Sequence, residues 1–223
     1  MMERKLVKTD DGSHTLHVPG LGEHYHSIHG AVTESTHIFI RAGLEHISLP
    51  AVRILEYGLG TGLNMMLTYC RAAERGIKVY YHAIEKYPVI KTEAEQLNLS
   101  VACGMEDNTI FNLIHESPWD EDIRISDTFI FHKEQADFRT SSPGSGYNLV
   151  YYDAFSPEVQ PLLWTEEIFH TVYSACSPGA ILTTYSAKGR VRRNFIAAGF
   201  EVEKLPGPPG KREFIRCRKP SDQ

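Results

Sequence analysis

Four carboxylates stand where apolar runs end: Glu56 after Ile54-Leu55, Glu85 after Val79 to Ile84, Glu134 after Thr128 to Phe131, and Asp153 after Tyr147 to Tyr152. An apolar run that stops at an acid reads as a buried strand emerging at the rim of a sheet. Ligands of open α/β sheets bind at that carboxyl end. Four acids on one rim can hold a cation, accept hydrogen bonds from hydroxyl groups and take up a proton. Gly58, Gly60 and Gly62 follow the first acid in the stretch Glu56-Tyr-Gly-Leu-Gly-Thr-Gly-Leu-Asn64. Glycines at alternate positions let the main chain turn sharply and come close to a ligand. A helix starting at about Thr61 turns its unpaired N–H groups toward the same place.

The spacing G-x-G-x-G differs from the G-x-G-x-x-G of the dinucleotide-binding turn. Glu56 also puts a carboxylate where a pyrophosphate would lie, which sets like charges together. S-adenosyl-L-methionine, with its ammonium and sulfonium, suits the turn better than a nicotinamide cofactor, and a purely structural turn is the plain alternative. In this reading Glu56 fixes the ammonium directly or through water, Gly58, Gly60 and Gly62 permit close backbone approach, and Glu85 takes the ribose hydroxyls. Glu134 and Gln135 either face the adenine or open a solvated helix. Methyl transfer to an amine requires a neutral nitrogen, yet an alkylamine is mostly protonated at neutral pH. Asp153 is the candidate to receive that proton, its alternative role being to cap the turn that follows. Phe155 either walls the pocket or is packed in the interior.

Alternating strands and helices must position these groups. The periodicities predict a helix from about Thr61 to Arg75, a strand ending at Glu85, and a helix after Pro88 carrying Val89, Ile90, Ala94 and Leu97. An insertion over about Leu99 to Asp127 holds a helix near Asn108 to His115. The strands Thr128 to Phe131, Tyr147 to Tyr152 and Ala180 to Tyr185 follow, with helices after Thr165 and over Val191 to Ala198. Phe200 to Leu205 and Glu213 to Cys217 read as a hairpin. Such repeated units predict an α/β fold with a mainly parallel sheet and helices on both faces. Residues 1–50 read as an amino-terminal extension on the substrate side, with short strands at Thr15 to Val18 and His37 to Ile40. Residues 51–223 read as the nucleotide-type domain.

At 223 residues, 42% hydrophobic and 23% charged, the chain fits one α/β domain plus this extension. No apolar run approaches the ~20 residues of a membrane span, and the start Met1-Met2-Glu3-Arg4-Lys5 lacks a signal-peptide core, so a cytoplasmic protein with no membrane partner is expected. Cys70, Cys103, Cys176 and Cys217 form no C-x-x-C pair and are expected as free thiols. Seven of the eleven histidines precede residue 50, among them His24, His26 and His29. No acid or cysteine completes a ligand set with them, so no metal is expected. The net charge of −5 hides an asymmetry: from Lys188 onward there are ten Lys or Arg against four Asp or Glu. Lys188, Arg190, Arg192, Arg193, Lys211 and Arg212 are candidates for nucleic-acid phosphates, or for an ordinary solvated surface.

Taken in order, Glu56-Tyr-Gly-Leu-Gly-Thr-Gly-Leu-Asn64, Glu85-Lys86-Tyr87-Pro88, Asp153-Ala-Phe-Ser-Pro157 with Gln160-Pro161 and Trp164, and Gly210-Lys211-Arg212-Glu213 carry a family likeness. The chain resembles the methyltransferase half of the bifunctional tRNA enzyme that makes 5-methylaminomethyl-2-thiouridine. It is more similar still to the stand-alone form lacking the flavin-dependent oxidase domain. Tyr25, Ser27, Gly30, Glu34 and Ser35 look like the segment that precedes the glycine turn in that family. The resemblance implies a class I S-adenosyl-L-methionine-dependent methyltransferase, Rossmann-like, with a mostly parallel seven-stranded sheet and a small β extension. It implies methylation of the 5-aminomethyl group of a wobble uridine, S-adenosyl-L-methionine as cofactor, and the anticodon region of tRNA as partner. It adds Asn64 and Lys86 to the donor site, brings Asp153 against the donor, and puts Tyr25, Glu34 and Phe155 on the substrate side. A wobble base must leave its stack to react, and Tyr25 or His26 would stack on it. The chain is too short for the oxidase domain, so a separate enzyme is expected to supply the aminomethyl uridine. The family's glycine-aspartate before the alanine is replaced here by Lys133 and Glu134-Gln135, which bears on the adenine side. A methyltransferase for a small amine or other acceptor, and a non-catalytic nucleotide- or tRNA-binding module, stay open beside this reading.

Overall fold

The chain opens with a three-stranded antiparallel sheet made of β1 (Lys5–Lys8), β2 (His14–Val18) and β3 (Glu23–His24). The computed structural model describes residues 2–221; Met1, Asp222 and Gln223, at the outer ends of the two expected segments, lie outside the described residues. Helix α1 (Ala31–Ser35) runs on into a π-helical turn, Thr36–Arg41. The strand expected over His37 to Ile40 is therefore corrected. Ile38, Phe39 and Ile40 are all buried, and a run buried on every side has no strand-like alternation to distinguish it from helix.

The main sheet takes β4 (Ala51–Tyr57), β5 (Lys78–Ile84), β6 (Asp122–Ser126), β7 (Phe129–Glu134), β8 (Tyr147–Tyr152), β9 (Cys176–Thr184), β10 (Glu201–Pro206) and β11 (Glu213–Arg218). Their order is β10-β11-β9-β8-β4-β5-β7-β6. The central five, from β9 to β7, are parallel; β6 and β11 run against them, and β10 pairs antiparallel with β11. This is the expected Rossmann-like, mostly parallel sheet, with eight strands in place of seven. The eighth is β6, in a stretch expected as insertion. Its Asp-Ile-Arg-Ile-Ser alternation is that of a short edge strand with one apolar face.

Helix α2 (Leu63–Arg75) connects β4 to β5. Three short helices follow, α3 (Lys91–Ala94), α4 (Leu99–Ala102) and α5 (Thr109–Glu116). The longer helix expected after Pro88 is not formed, because Ile90 is extended at φ −78° and ψ 158°. Helix α6 (Glu166–Ala175), capped by the Thr165 hydroxyl, and α7 (Gly189–Ala197) complete the other face. None of the helices is long and apolar enough to cross a membrane among the described residues.

Strand alternation decides what can reach the site. Along β4, Val52 and Ile54 face a core shared with Met65 and Met66 of α2, while Leu55 and Tyr57 face the α6 and α7 side. Along β8, Leu149 and Tyr151 face α2, and Val150 and Tyr152 face away. Continuing the period by one step puts both Glu56 and Asp153 on the α2 face. Leu16, Ala31, Ile38 and Phe39 of the first fifty residues join that same core.

On the opposite face Trp164 is fully buried, edge-on to Tyr152 at 5.1 Å, and its Nε1 donates to Phe155 O at 2.8 Å. That bond pins the loop after β8. Trp164→Ala should cost about 3–5 kcal/mol through the cavity and the unpaired carbonyl together. The expected readout is a lower midpoint in chemical denaturation with an unchanged slope.

Candidate active site

The sheet reverses its winding between β4 and β8, where Tyr57 lies opposite Tyr152. Chains diverging from this point leave a crevice at the strand ends. Asp153 N donates to Tyr57 O at 2.9 Å, which fastens the residue after β8 to the end of β4. Gly58 then turns away at φ +101°. A Cβ on Gly58 would lie 2.5 Å from Asp153 O, so a side chain there is excluded by the neighbouring backbone. Gly60, at φ +52°, leaves room for the Tyr25 ring, 2.9 Å from where its Cβ would be.

Glu85, just past β5, accepts from Gly60 N at 3.1 Å and from Tyr87 N at 2.7 Å. A carboxylate with both oxygens fixed by amides keeps lone pairs in a set direction. Thr61 is held twice, its hydroxyl by His26 Nε2 at 3.3 Å and its carbonyl by a hydrogen bond from His115 Nε2 at 3.0 Å. Burial lowers both imidazoles to about 4, so they are neutral at physiological pH. His26 Nδ1 also meets the Thr15 hydroxyl at 3.0 Å, so both ring nitrogens are held at the turn.

Asn64, in the first turn of α2, sits over the two acids that alternation brings to one face. Its Nδ2 donates to Glu56 Oε1 and to Asp153 Oδ2, both at 2.9 Å. Glu56 is fully buried, and burial raises it well above the carboxylate range, with the nearby Asp153 charge adding to the effect against the Asn64 hydrogen bond. It does not line the cavity, and Asn64 stands between Glu56 and that space, so of the two contacts expected, direct or through water, the direct one is not prepared here. Burial pushes Asp153 up to about 7, Glu34 pushes the same way, and the Asn64 amide and Lys211 oppose. Among the described residues its carboxylate bonds to Asn64 rather than to the turn it was the alternative to cap.

A cavity of about 600 Å³ lies over this rim. Of the expected residues, Tyr25, Glu34, Gly58, Gly60, Asn64, Glu85, Lys86, Asp153, Phe155 and Lys211 line it, with Thr61 and His26. Gly62 is N-cap of α2 at φ +77° and acts on the backbone alone. Tyr25 meets Phe155 edge-on at 5.1 Å, and its hydroxyl accepts from Arg4 Nε at 2.8 Å.

Glu134 and Gln135 are outside the lining. Strand β7 runs three residues beyond Phe131, so Glu134 falls within the ladder opposite Ile84. Its carboxylate accepts from His82 Nε2 at 3.0 Å, a bond that holds it below the usual range. Asp137, Phe138 and Arg139 line the cavity in their place. Asp137 binds Arg139 at 2.6 Å and Lys86 at 2.9 Å. Tyr185, directly after β9, was also missed; its hydroxyl donates to Ala154 O at 2.9 Å.

The basic residues divide. Lys188 pairs with Glu158, and Arg190 donates to Pro157 O at 3.3 Å. Arg192, Arg193 and Arg212 are exposed. Lys211, a candidate for phosphates or a solvated surface, turns into the cavity and pairs with Glu34.

The cations lining the cavity are thus spent on Asp137 and Glu34, while Glu23, Glu85 and Asp153 have no ion-pair partner among the described residues. Asn64 Oδ1 is buried without a hydrogen-bond partner. An acidic lining with a spare buried acceptor beside a glycine turn fits a donor carrying an ammonium and a sulfonium.

Residues 122–220 match the model of a family described as S-adenosyl-L-methionine-dependent methyltransferase. The chain is 30% identical, over 219 residues, to the tRNA 5-methylaminomethyl-2-thiouridine biosynthesis bifunctional protein MnmC of Paracidovorax citrulli, covering 89% of this chain and 33% of that protein. Against the protein of the same name from Aromatoleum aromaticum it is 30% identical over 235 residues, covering 96% and 35%. The chain therefore spans about a third of the length of these curated relatives. It superposes on the crystal structure of MnmC2 from Aquifex aeolicus with a TM-score of 0.77 at 22% identity, over 100% of this chain and 72% of that one. The resemblance drawn from separate motifs thus extends over nearly the whole chain.

Proposed function

We propose that the chain is an S-adenosyl-L-methionine-dependent methyltransferase that methylates the 5-aminomethyl nitrogen of wobble (2-thio)uridine in tRNA, giving the 5-methylaminomethyl nucleoside. The observation that carries this reading is Asp153, a carboxylate of raised proton affinity that opens onto the same cavity as the glycine turn and Glu85. The acceptor is supported by the names of the relatives, which specify 5-methylaminomethyl-2-thiouridine.

When bound, the donor supplies a methyl carbon on a sulfonium, which departs as a neutral thioether. Glu85 would take the ribose hydroxyls, and Asn64, with its spare Oδ1, would hold the ammonium. Glu56 acts through Asn64. Lys86 and Asp137 would bound the ribose and adenine side. Tyr25 and Phe155 close the space above Gly60 and keep water from it. Asp153 takes a proton from the arriving alkylammonium and leaves a nitrogen lone pair free to attack. The product nitrogen is then a secondary ammonium, and the Asp153 proton passes to solvent. Alignment of nitrogen and methyl in this enclosed space supplies much of the remaining barrier reduction.

The primary amine is itself the product of an earlier step that leaves an aminomethyl group on the uridine. The reaction belongs in the cytoplasm, with tRNA. Helix α7 begins just beyond the carboxyl end of β9, and its exposed Arg192 and Arg193 are the candidates for phosphates around the anticodon. Binding should weaken with salt, and replacing Arg192 and Arg193 together by alanine should lower the slope of log affinity against log salt by ~2, one unit per lost phosphate contact. An unchanged slope would remove α7 from the interface.

The function is tested by incubating the full chain with methyl-labelled donor and either tRNA carrying the aminomethyl nucleoside or a panel of small amines, followed by nucleoside mass spectrometry. Label in the wobble nucleoside is the expected result. Label confined to small amines would replace the acceptor, and label in neither would favour a non-catalytic module.

A further inference from the structure

We propose that Lys211 and Glu34 are positioning residues that act on Asp153 in opposite senses, the β10–β11 loop bringing the lysine into the acceptor pocket and α1 bringing the glutamate. This rests on the reading of Asp153 as the group that takes the amine proton.

The loop geometry leaves little freedom. Gly207 N donates to Arg212 O at 3.0 Å and Lys211 N to Pro208 O at 2.9 Å. A Cβ on Gly207 would sit 2.3 Å from Lys211 O, and one on Gly210 would sit 2.2 Å from the His29 ring. His37 Nε2 donates to Pro206 O at 2.9 Å. The loop is therefore clamped onto the amino-terminal segment at Pro206 and at Gly210. Inside that clamp Lys211 Nζ lies 4.1 Å from the centre of the Tyr185 ring and pairs with one Glu34 oxygen. The other Glu34 oxygen accepts from Ser27 N at 2.8 Å. The lysine and glutamate side chains are only 27% and 10% exposed, too covered for a solvated surface pair of little consequence.

The groups that bear on Asp153 come from several elements around it: Glu56 and Asn64 from β4 and α2, Glu34 from α1, Lys211 from the loop, Tyr81 from β5, and Tyr185 after β9. Among these, Lys211 favours the ionised carboxylate and Glu34 disfavours it. An acceptor arriving as an ammonium meets the Glu34 and Asp153 carboxylates, with Lys211 already balancing one of them. Without the lysine two adjacent acids would share the pocket, and Asp153 would hold its proton to higher pH.

The test is kcat/KM against pH for tRNA methylation, together with a carbon-13 NMR titration of the Asp153 carboxylate that needs no acceptor. Lys211→Met should move the acidic limb and the NMR midpoint to higher pH, and Glu34→Gln should move both to lower pH, each by on the order of one unit. Lys211→Arg keeps the charge and should leave the midpoint at the wild-type value. Donor binding by calorimetry checks that each variant is folded. Equal loss of rate at all pH values, shifts in one common direction, or an arginine variant that moves like methionine would overturn the proposal. Absence of transfer by the wild-type protein, with the opposed NMR shifts intact, would instead reject the functional reading.

Discussion

Asp153→Asn is expected to lower kcat/KM for methyl transfer by about 10²- to 10⁴-fold, the range for loss of a general base, while donor affinity stays at the wild-type value. Asparagine keeps the shape of the side chain and an oxygen able to accept from Asn64 Nδ2, the contact made by Asp153 at 2.9 Å. It cannot take a proton. A scaffolding role would survive this substitution, and a proton-accepting role would not. In the wild-type protein the sign of the pH dependence follows from burial, which holds Asp153 at about 7. Above that pH the carboxylate is free to receive a proton; below it the group is already protonated, so the rate should fall as pH drops through 7. Single-turnover transfer measured with saturating donor, beside calorimetry of donor binding, separates the two outcomes. Activity within a few-fold of wild type at pH 8 would exclude Asp153 from the proton path.

The parts of this site that were legible from sequence are those set by short-range geometry. Glu56 and Asp153 end adjacent parallel strands, and two-residue alternation puts both on the helix α2 face. The glycine spacing likewise carries its own reason, since each positive φ falls where a neighbour crowds the turn. What escaped depended on strand length or on long-range closure. Glu134 misled because β7 continues to Glu134 itself, which turns an expected rim acid into a rung of the ladder and hands its place to Asp137. Lys211 misled for a different reason. Its loop reads from sequence as an outward glycine-proline tip, and only the packing of Gly210 on His29, far away in the chain, folds it inward. The π-turn over Thr36–Arg41 escaped because its apolar run carries no period. Family likeness supplied Asn64, Lys86 and Glu34 where spacing was silent, and the cavity wall contains all three.

Gly58→Ala should be as damaging as removing the carboxylate, although it takes away no chemical group. Two costs add at this position. An L-residue at φ +101° is strained by roughly 1–3 kcal/mol, and the new methyl would press to 2.5 Å from Asp153 O, 3.1 Å from its carbonyl carbon. The backbone of Asp153 must move to relieve that contact. It is tied to Tyr57 O by its own amide, and the loop beyond it to Trp164 and Tyr185, so the displacement falls on the carboxylate and on the mouth of the turn together. Misplacement of a positioned group by about 1 Å costs about 10²-fold, and donor affinity should weaken too because the glycine turn is part of its seat. Gly76→Ala is the control. Gly76 closes helix α2 at φ +63°, yet a Cβ there would meet nothing within 4 Å. That variant carries backbone strain without the collision, so it should lose about 1 kcal/mol of stability and keep both donor binding and turnover. If the two alanine variants proved equally active, close backbone approach at Gly58 would not be what sets the site.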